Sequence, residues 1–159
     1  MRIPYTKIGP ASRDSVTVFP DRTNIYLPLI RFSLRYKNQT EKVIGLLDSG
    51  ADMCLFPRDM AEVLEIDITK GQKIYILGIG GQRTTFYFHE VQILFDKYTI
   101  NTKVGFADAS GARMILSAGI LGHQGFFDQF AISFDYKNKM VEIKKHDPLS
   151  YITSKIFSS

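Results

Sequence analysis

Gly45-Leu46-Leu47-Asp48-Ser49-Gly50-Ala51-Asp52 is the stretch on which the reading of this chain turns. An apolar run delivers a carboxylate, and a hydroxyl, a glycine and an alanine follow it at once. The apolar residues belong in a core, so Asp48 emerges at the end of a buried strand. Gly50 permits a tight turn and close backbone approach. Ala51 leaves room for a ligand, and Ser49 can hydrogen-bond a neighbouring loop. These are the needs of a carboxylate held rigidly beside another. Taken alone, Asp48-Ser49-Gly50 is better read as a type I turn on the surface, because Asp, Ser and Gly are ordinary turn residues.

Outward from this stretch the pattern is mostly that of strands. Residues 24–27 and 29–36 carry apolar side chains in partial period-two alternation, and Asn38-Gln39 makes a turn into 42–47. That is a hairpin delivering Asp48. Further strands are expected at 73–77, 84–95, 99–104, 113–115, 131–135 and 140–144, with Tyr136-Lys137-Asn138-Lys139 as the turn between the last two. A helix is expected after Pro57, which suits a first helical position, with Met60, Val63 and Leu64 on one face. A second, shorter helix is placed at 124–129. Many short strands with few helices make a mainly β barrel or sandwich.

At 159 residues and 45% hydrophobic the chain can bury one real core, and a second full domain is not expected. One domain over residues 1–159 is therefore expected, with a core at about 20–145 and short tails. No run approaches the ~20 apolar residues that span a bilayer, and Met1-Arg2-Ile3-Pro4-Tyr5 lacks the apolar core of a signal peptide. The expectation is a cytoplasmic protein with no membrane partner. Cys54 is the single cysteine, which excludes an internal disulfide framework and a cysteine-based zinc site. The net charge of +4 comes from Lys and Arg scattered along the chain, so a solvated mixed-charge surface is preferred over a nucleic-acid site.

Context lifts the Asp48 stretch above an ordinary turn. Leu47-Asp48-Ser49-Gly50-Ala51-Asp52 resembles the active-site signature of the retroviral-type, or retropepsin-like, aspartic proteases. Further on, Ile76-Leu77-Gly78-Ile79-Gly80-Gly81-Gln82 resembles the glycine-rich tip of that family's flap, a hairpin that closes over bound peptide. Ala118-Gly119-Ile120-Leu121-Gly122 resembles the segment that threads beside the active-site loop. The resemblance runs over roughly 24–145, and the helix after Pro57 and the Phe134 to Lys139 hairpin look more like cellular and prokaryotic members than viral ones.

The resemblance implies an acid-protease barrel active as a C2 homodimer. It implies Asp48 as the catalytic residue, Ser49, Gly50 and Ala51 as the active-site loop, and Asp52, Gly78, Ile79, Gly80, Gly81 and Leu121 as substrate-binding residues. It implies no metal and no cofactor. In this chemistry two carboxylates share a proton, one acting as base on a water molecule and the other as acid. One Asp-Ser-Gly per chain then requires two chains.

Asp108-Ala109-Ser110-Gly111-Ala112 is a tempting second copy, but an extra residue separates its carboxylate from the serine and no apolar strand leads into it. It is read as a surface loop. His123 stands where many viral relatives carry an arginine that pairs with the residue matching Asp52, so that ion pair is put in question. His89-Glu90 begins like a zinc-protease helix, yet position 93 is Ile and the segment alternates as a strand. Gly78-Ile79-Gly80-Gly81-Gln82-Arg83 lacks the endings of a dinucleotide turn and of a phosphate loop. Two functions are carried forward: an aspartic endopeptidase, and a catalytically inactive dimeric peptide-binding module of the same fold. A basic β-barrel that binds nucleic acid has only the charge and scattered aromatics behind it.

Overall fold

A computed structural model describes residues 1–77, 81, 83–108 and 118–147 of the chain. Twelve strands and two short helices are formed among them. In chain order they are β1 (Arg2–Pro4), β2 (Thr6–Pro10), α1 (Arg13–Val18), β3 (Asn24–Leu27), β4 (Leu29–Tyr36), β5 (Gln39–Leu47), β6 (Leu55–Phe56), α2 (Arg58–Val63), β7 (Gln72–Leu77), β8 (Arg83–Phe95), β9 (Tyr98–Ala107), β10 (Gly119–Leu121), β11 (Phe130–Asp135) and β12 (Met140–Lys145). The mainly β expectation holds.

Six strands close a barrel in the order β4-β5-β10-β6-β9-β8, and β4 returns to β8 through Ser33↔Leu94, Leu34↔Ile93 and Arg35↔Gln92. Closure removes the open edges at which sheets otherwise aggregate. The alternation of β4 turns Ile30, Phe32 and Leu34 inward, where they meet Ile93, Val104, Phe56 and Phe106. Left-handed residues make the tight corners: Lys37 (φ 51°) between β4 and β5, Asp96 (φ 54°) between β8 and β9, and Lys139 (φ 53°) between β11 and β12. Outside the barrel, β7 extends β8 as a long hairpin, and β1-β12-β11 form a separate three-stranded sheet. Arg2, Ile3 and Pro4 thus pair with Glu142, Val141 and Met140.

The structure corrects details of the helical expectations. Pro57 is the N-cap of α2 rather than its first helical residue. Ala61 is the residue that α2 buries, with Leu64 buried at its C-cap, while Val63 points outward and is 52% exposed. A helix of six residues has too few turns for a three-residue stripe to fix its inward face. Residues 125–129 form consecutive turns instead of a helix, and Gln124 makes a bridge to Met53. Gly125 adopts φ +100° there and its amide donates to Asp128 Oδ1, which breaks the helical path. These turns bury Phe126, whose ring meets Phe95 and Phe130 at 5.6 and 5.0 Å between centroids. The second helix is α1, which buries no residue and therefore carries no inward stripe to read. The strand expected at 113–115 lies outside the described residues.

Candidate active site

Strand β5 ends at Leu47, and the chain turns at Asp48 in the way the sequence suggested. Asp48 is half-buried, its Oδ1 accepts the Gly50 amide at 2.9 Å, and its carbonyl accepts the Ala51 amide at 3.2 Å. The carboxylate is thereby oriented by its own loop. Ser49 and Gly50 are exposed and Ala51 is half-buried.

A second segment, distant in sequence, clamps this loop from the neighbouring strand. β10 runs parallel to β5 with Gly119, Ile120 and Leu121 opposite Gly45, Leu46 and Leu47. Parallel neighbours of this kind need close backbone packing. At Gly45 a β-carbon would lie 2.8 Å from the ring of Phe32 and 2.9 Å from Leu121, so a side chain has no room there. Beyond β10, Gly122 passes within 2.5 Å, measured from where its β-carbon would be, of the carbonyl oxygens of Ala51 and Met53. Three backbone hydrogen bonds complete the stitch: Asp48 N–H to Leu121 O (3.1 Å), His123 N–H to Ala51 O (2.9 Å) and Gln124 N–H to Asp52 O (2.7 Å). Leu121 is fully buried, so it reaches the loop through its carbonyl while its side chain serves the core.

Asp52 and His123, whose pairing the sequence left in question, do approach each other. His123 Nδ1 lies 3.8 Å from Asp52 Oδ1, with side-chain exposures of 50% and 88%. Such an exposed contact contributes little to stability, and only with the imidazole protonated. His123 also rests edge-on against Phe127, at 5.8 Å between ring centroids.

The β7–β8 hairpin stands where the glycine-rich motif placed it, pairing Gln72↔Phe88 through Leu77↔Arg83. Gly78, Ile79, Gly80 and Gln82 lie outside the described residues. Gly81 adopts φ +76°, a left-handed conformation that a glycine takes without strain. Ile74 and Ile76 on one face of the hairpin pack on Phe86, Phe88 and Ala107 together with Met53 and Leu55. An apolar wall thus joins the hairpin to the stretch that follows Asp52. The opposite face is cationic and aromatic: Arg83 stacks on Tyr75 at 4.2 Å, and Lys73 lies over Tyr75 and Tyr87 at 5.3 and 5.9 Å. Sequence reasoning passed over Met53, Leu55 and Ile76 as part of the site. Their alternation along short strands was visible, but not which surface they would share.

Asp108 follows β9, its amide donates to Thr85 O at 2.9 Å, and its carbonyl accepts from Arg58. It takes no part in the loop stitched around Asp48, and Ser110 and Gly111 lie outside the described residues. His89 sits in strand β8 as read from the sequence, buried, with Nε2 3.0 Å from Ile68 O. Among the described residues no three His, Cys, Asp or Glu side chains gather as metal ligands. Cys54 is fully buried beneath the loop, its Sγ donates to Gln124 O at 3.4 Å, and burial pushes its thiol up to about 12. Among the described residues no helix is long and apolar enough to cross a membrane.

The sequence matches the family model described as aspartyl protease over residues 34–124, which spans the hairpin, the Asp48 loop and the crossing segment. No curated protein matches it. Among solved structures, it is similar to a retropepsin-like aspartic protease from Rickettsia conorii at 16% identity and a TM-score of 0.52, covering 89% of this chain and 99% of that one. It also aligns with the retroviral protease-like domain of Ddi1 from Leishmania major (14% identity, TM-score 0.45, 73% of this chain and 88% of that one). A third match is EIAV protease complexed with the inhibitor HBY-793 (24% identity, TM-score 0.44, 61% of this chain and 82% of that one). With more than half its length matched by the family model and its fold found again in the Rickettsia conorii structure, the chain belongs to the aspartyl protease family and has the retropepsin-like fold.

Proposed function

We propose that the chain is one subunit of a homodimeric aspartic endopeptidase, with Asp48 as its catalytic carboxylate. The observation that carries this reading is the Asp48 loop itself: a carboxylate oriented by Gly50 N–H and pinned through Leu121, His123 and Gln124 to a strand running beside it. Rigid placement of that kind is what a shared-proton carboxylate pair requires. One chain supplies one such loop, so a second copy related by a two-fold axis supplies the other.

In the assembled site the two Asp48 carboxylates hold one proton between them. The ionised one takes a proton from a water molecule as that water's oxygen bonds to the scissile carbonyl carbon. The protonated one gives its proton to the carbonyl oxygen. Collapse of the resulting gem-diol breaks the C–N bond: the carboxyl that took the water proton gives it to the leaving nitrogen, and a gem-diol hydroxyl returns its proton to the other carboxylate, so the pair again holds one. Ser49 of each loop braces the other loop, Ala51 leaves space for the peptide, and Asp52 and Gly78 to Gly81 bind its backbone. Ile79 belongs to the same proposed substrate-binding set. No metal or cofactor takes part. The apolar wall of Met53, Leu55 and Ile76 suits aliphatic and aromatic substrate side chains. We place the protein in the cytoplasm.

The alternative is a dimeric peptide-binding module that keeps the fold without turnover. Incubation of the pure protein with an unbiased peptide library, with and without pepstatin, separates the two. The endopeptidase reading expects new termini that pepstatin suppresses. Peptides bound but uncut at every concentration would favour the binding module.

A further inference from the structure

Arg58, the first residue of α2, reaches two places at once. Its Nε lies 3.0 Å from Glu62 Oε1, one turn along the same helix. Its Nη1 donates to the backbone carbonyl of Asp108 at 2.5 Å and lies 3.6 Å from that residue's Oδ1. The guanidinium is only about one-third exposed, whereas Glu62 and Asp108 are 63% and 47% exposed. The two ion pairs are therefore screened and weak. The hydrogen bond from a cationic donor to the carbonyl is the stronger part of the contact.

What this contact joins matters more than its own strength. Arg58 comes directly after Leu55-Phe56-Pro57, which leaves the Asp48 loop and is fixed in the barrel between Ile120 and Gly105-Phe106. Asp108 is held from its other side by the hairpin, because its amide donates to Thr85 O at 2.9 Å. Thr85 lies in β8 opposite Tyr75, in the part of the hairpin nearest Leu77 and Arg83. One residue is thus gripped by its amide on the hairpin and by its carbonyl on the helix that follows the loop. The planar guanidinium suits this, since Nε can face Glu62 while Nη1 faces the carbonyl, a fixed fork that a lysine ammonium lacks.

We infer that Arg58 is a positioning residue: through Asp108 it fixes the β7–β8 hairpin relative to the helix that follows the Asp48 loop. The consequence for turnover rests on the endopeptidase reading. The geometric clamp does not, and the two parts fail separately in the experiment.

The test compares wild type, Arg58→Gln and Arg58→Lys by residue-resolved amide exchange, thermal melting and steady-state cleavage of a peptide selected from the library. In Arg58→Gln the Asp108 amide exchanges about tenfold faster while the Leu64 amide, bonded to Met60 O within α2, keeps its rate. kcat/KM falls about tenfold, chiefly in kcat because the peptide is held out of line with the carboxylates. The melting temperature changes little, and Arg58→Lys recovers part of the loss. An unchanged Asp108 exchange rate overturns the clamp. Faster Asp108 exchange with unchanged kcat/KM overturns the positioning role. Should wild type cleave nothing, the endopeptidase reading falls, and the Asp108 exchange rate alone then decides whether Arg58 sets the hairpin.

Discussion

The ring of Phe56 lies against Gly119 so closely that its Cε1 and Cδ1 atoms take the place of a β-carbon at that position. Phe56 is fully buried and Gly119 begins the strand that runs beside the Asp48 loop. A methyl group at 119 therefore displaces either the core ring or the strand. Gly119→Ala is expected to cost about 1–3 kcal/mol, read as a lowered urea midpoint. Gly9→Ala is the control, since nothing lies within 4 Å of a β-carbon there, and it should move stability by no more than about 0.5 kcal/mol. Equal midpoints for the two variants would show that β10 has slack to give.

Asp48→Asn should abolish peptide cleavage, by a factor of about 10²–10⁴ or more, while leaving circular dichroism and melting unchanged. The amide keeps the shape of the carboxylate but cannot share or transfer the proton. Asp108→Asn retains the backbone carbonyl that Arg58 uses and loses only a weak exposed ion pair, so its effect stays within about threefold. Comparable losses from both would mean that Asp48 is the wrong carboxylate.

Activity should fall faster than linearly on dilution, because each chain brings one Asp48 loop to a two-carboxylate site. Sedimentation across the same concentrations should show a dimer dissociating in step with the loss. A fully active monomer would sink the reading of Asp48 as half of a site.

Gly81 sits at φ +76°, where a β-branched residue is strained. Gly81→Val is expected to misdirect the hairpin end, so that turnover drops by about tenfold or more while the melting temperature shifts by only a few degrees. Loss of stability in proportion to loss of turnover would reassign Gly81 to an ordinary structural turn.

Cys54 yields the clearest pH dependence. Burial raises its thiol from 9.0 to about 12, so the folded chain keeps the proton over a range in which the unfolded chain releases it. The stabilisation is fully present below pH 9 and is lost as pH rises towards 12, with a slope approaching about 1.4 kcal/mol per pH unit. Urea midpoints at pH 8 and 10.5 should diverge more in wild type than in Cys54→Ala. In the native state at pH 8 the thiol should also resist alkylation until the protein unfolds. Rapid native labelling would mean that the loop above Cys54 opens readily.

The legible part of this molecule was its long strands. β4, β5, β7, β8, β11 and β12 each carry enough alternation to be read from their own residues, and the Asp48 motif marked the strand end that bears the carboxylate. β6 and β10 have two and three residues, too few to show a period, and they exist because Ile120 pairs with Leu46 on one side and Leu55 on the other. A helix is expected at 124–129, and Gly125 at φ +100° is what redirects the segment. Arg58 offered one local signal, Glu62 four residues on, whereas its partner Asp108 is fixed only by tertiary structure. His123 could be placed beside the loop from the motif order, but its 3.8 Å approach to Asp52 required the parallel pairing of β5 and β10.

That parallel pairing also orders events in time. The Asp48 amide donates to the Leu121 carbonyl, and the carbonyls of Ala51 and Asp52 accept from the His123 and Gln124 amides. During synthesis the carboxylate leaves the ribosome long before the strand that fixes it, and domains fold as their last essential contacts become available. A nascent or truncated chain ending before residue 119 thus carries the Asp-Ser-Gly motif without the geometry that gives it purpose. On the endopeptidase reading, the growing polypeptide stays inactive until β10 has been made.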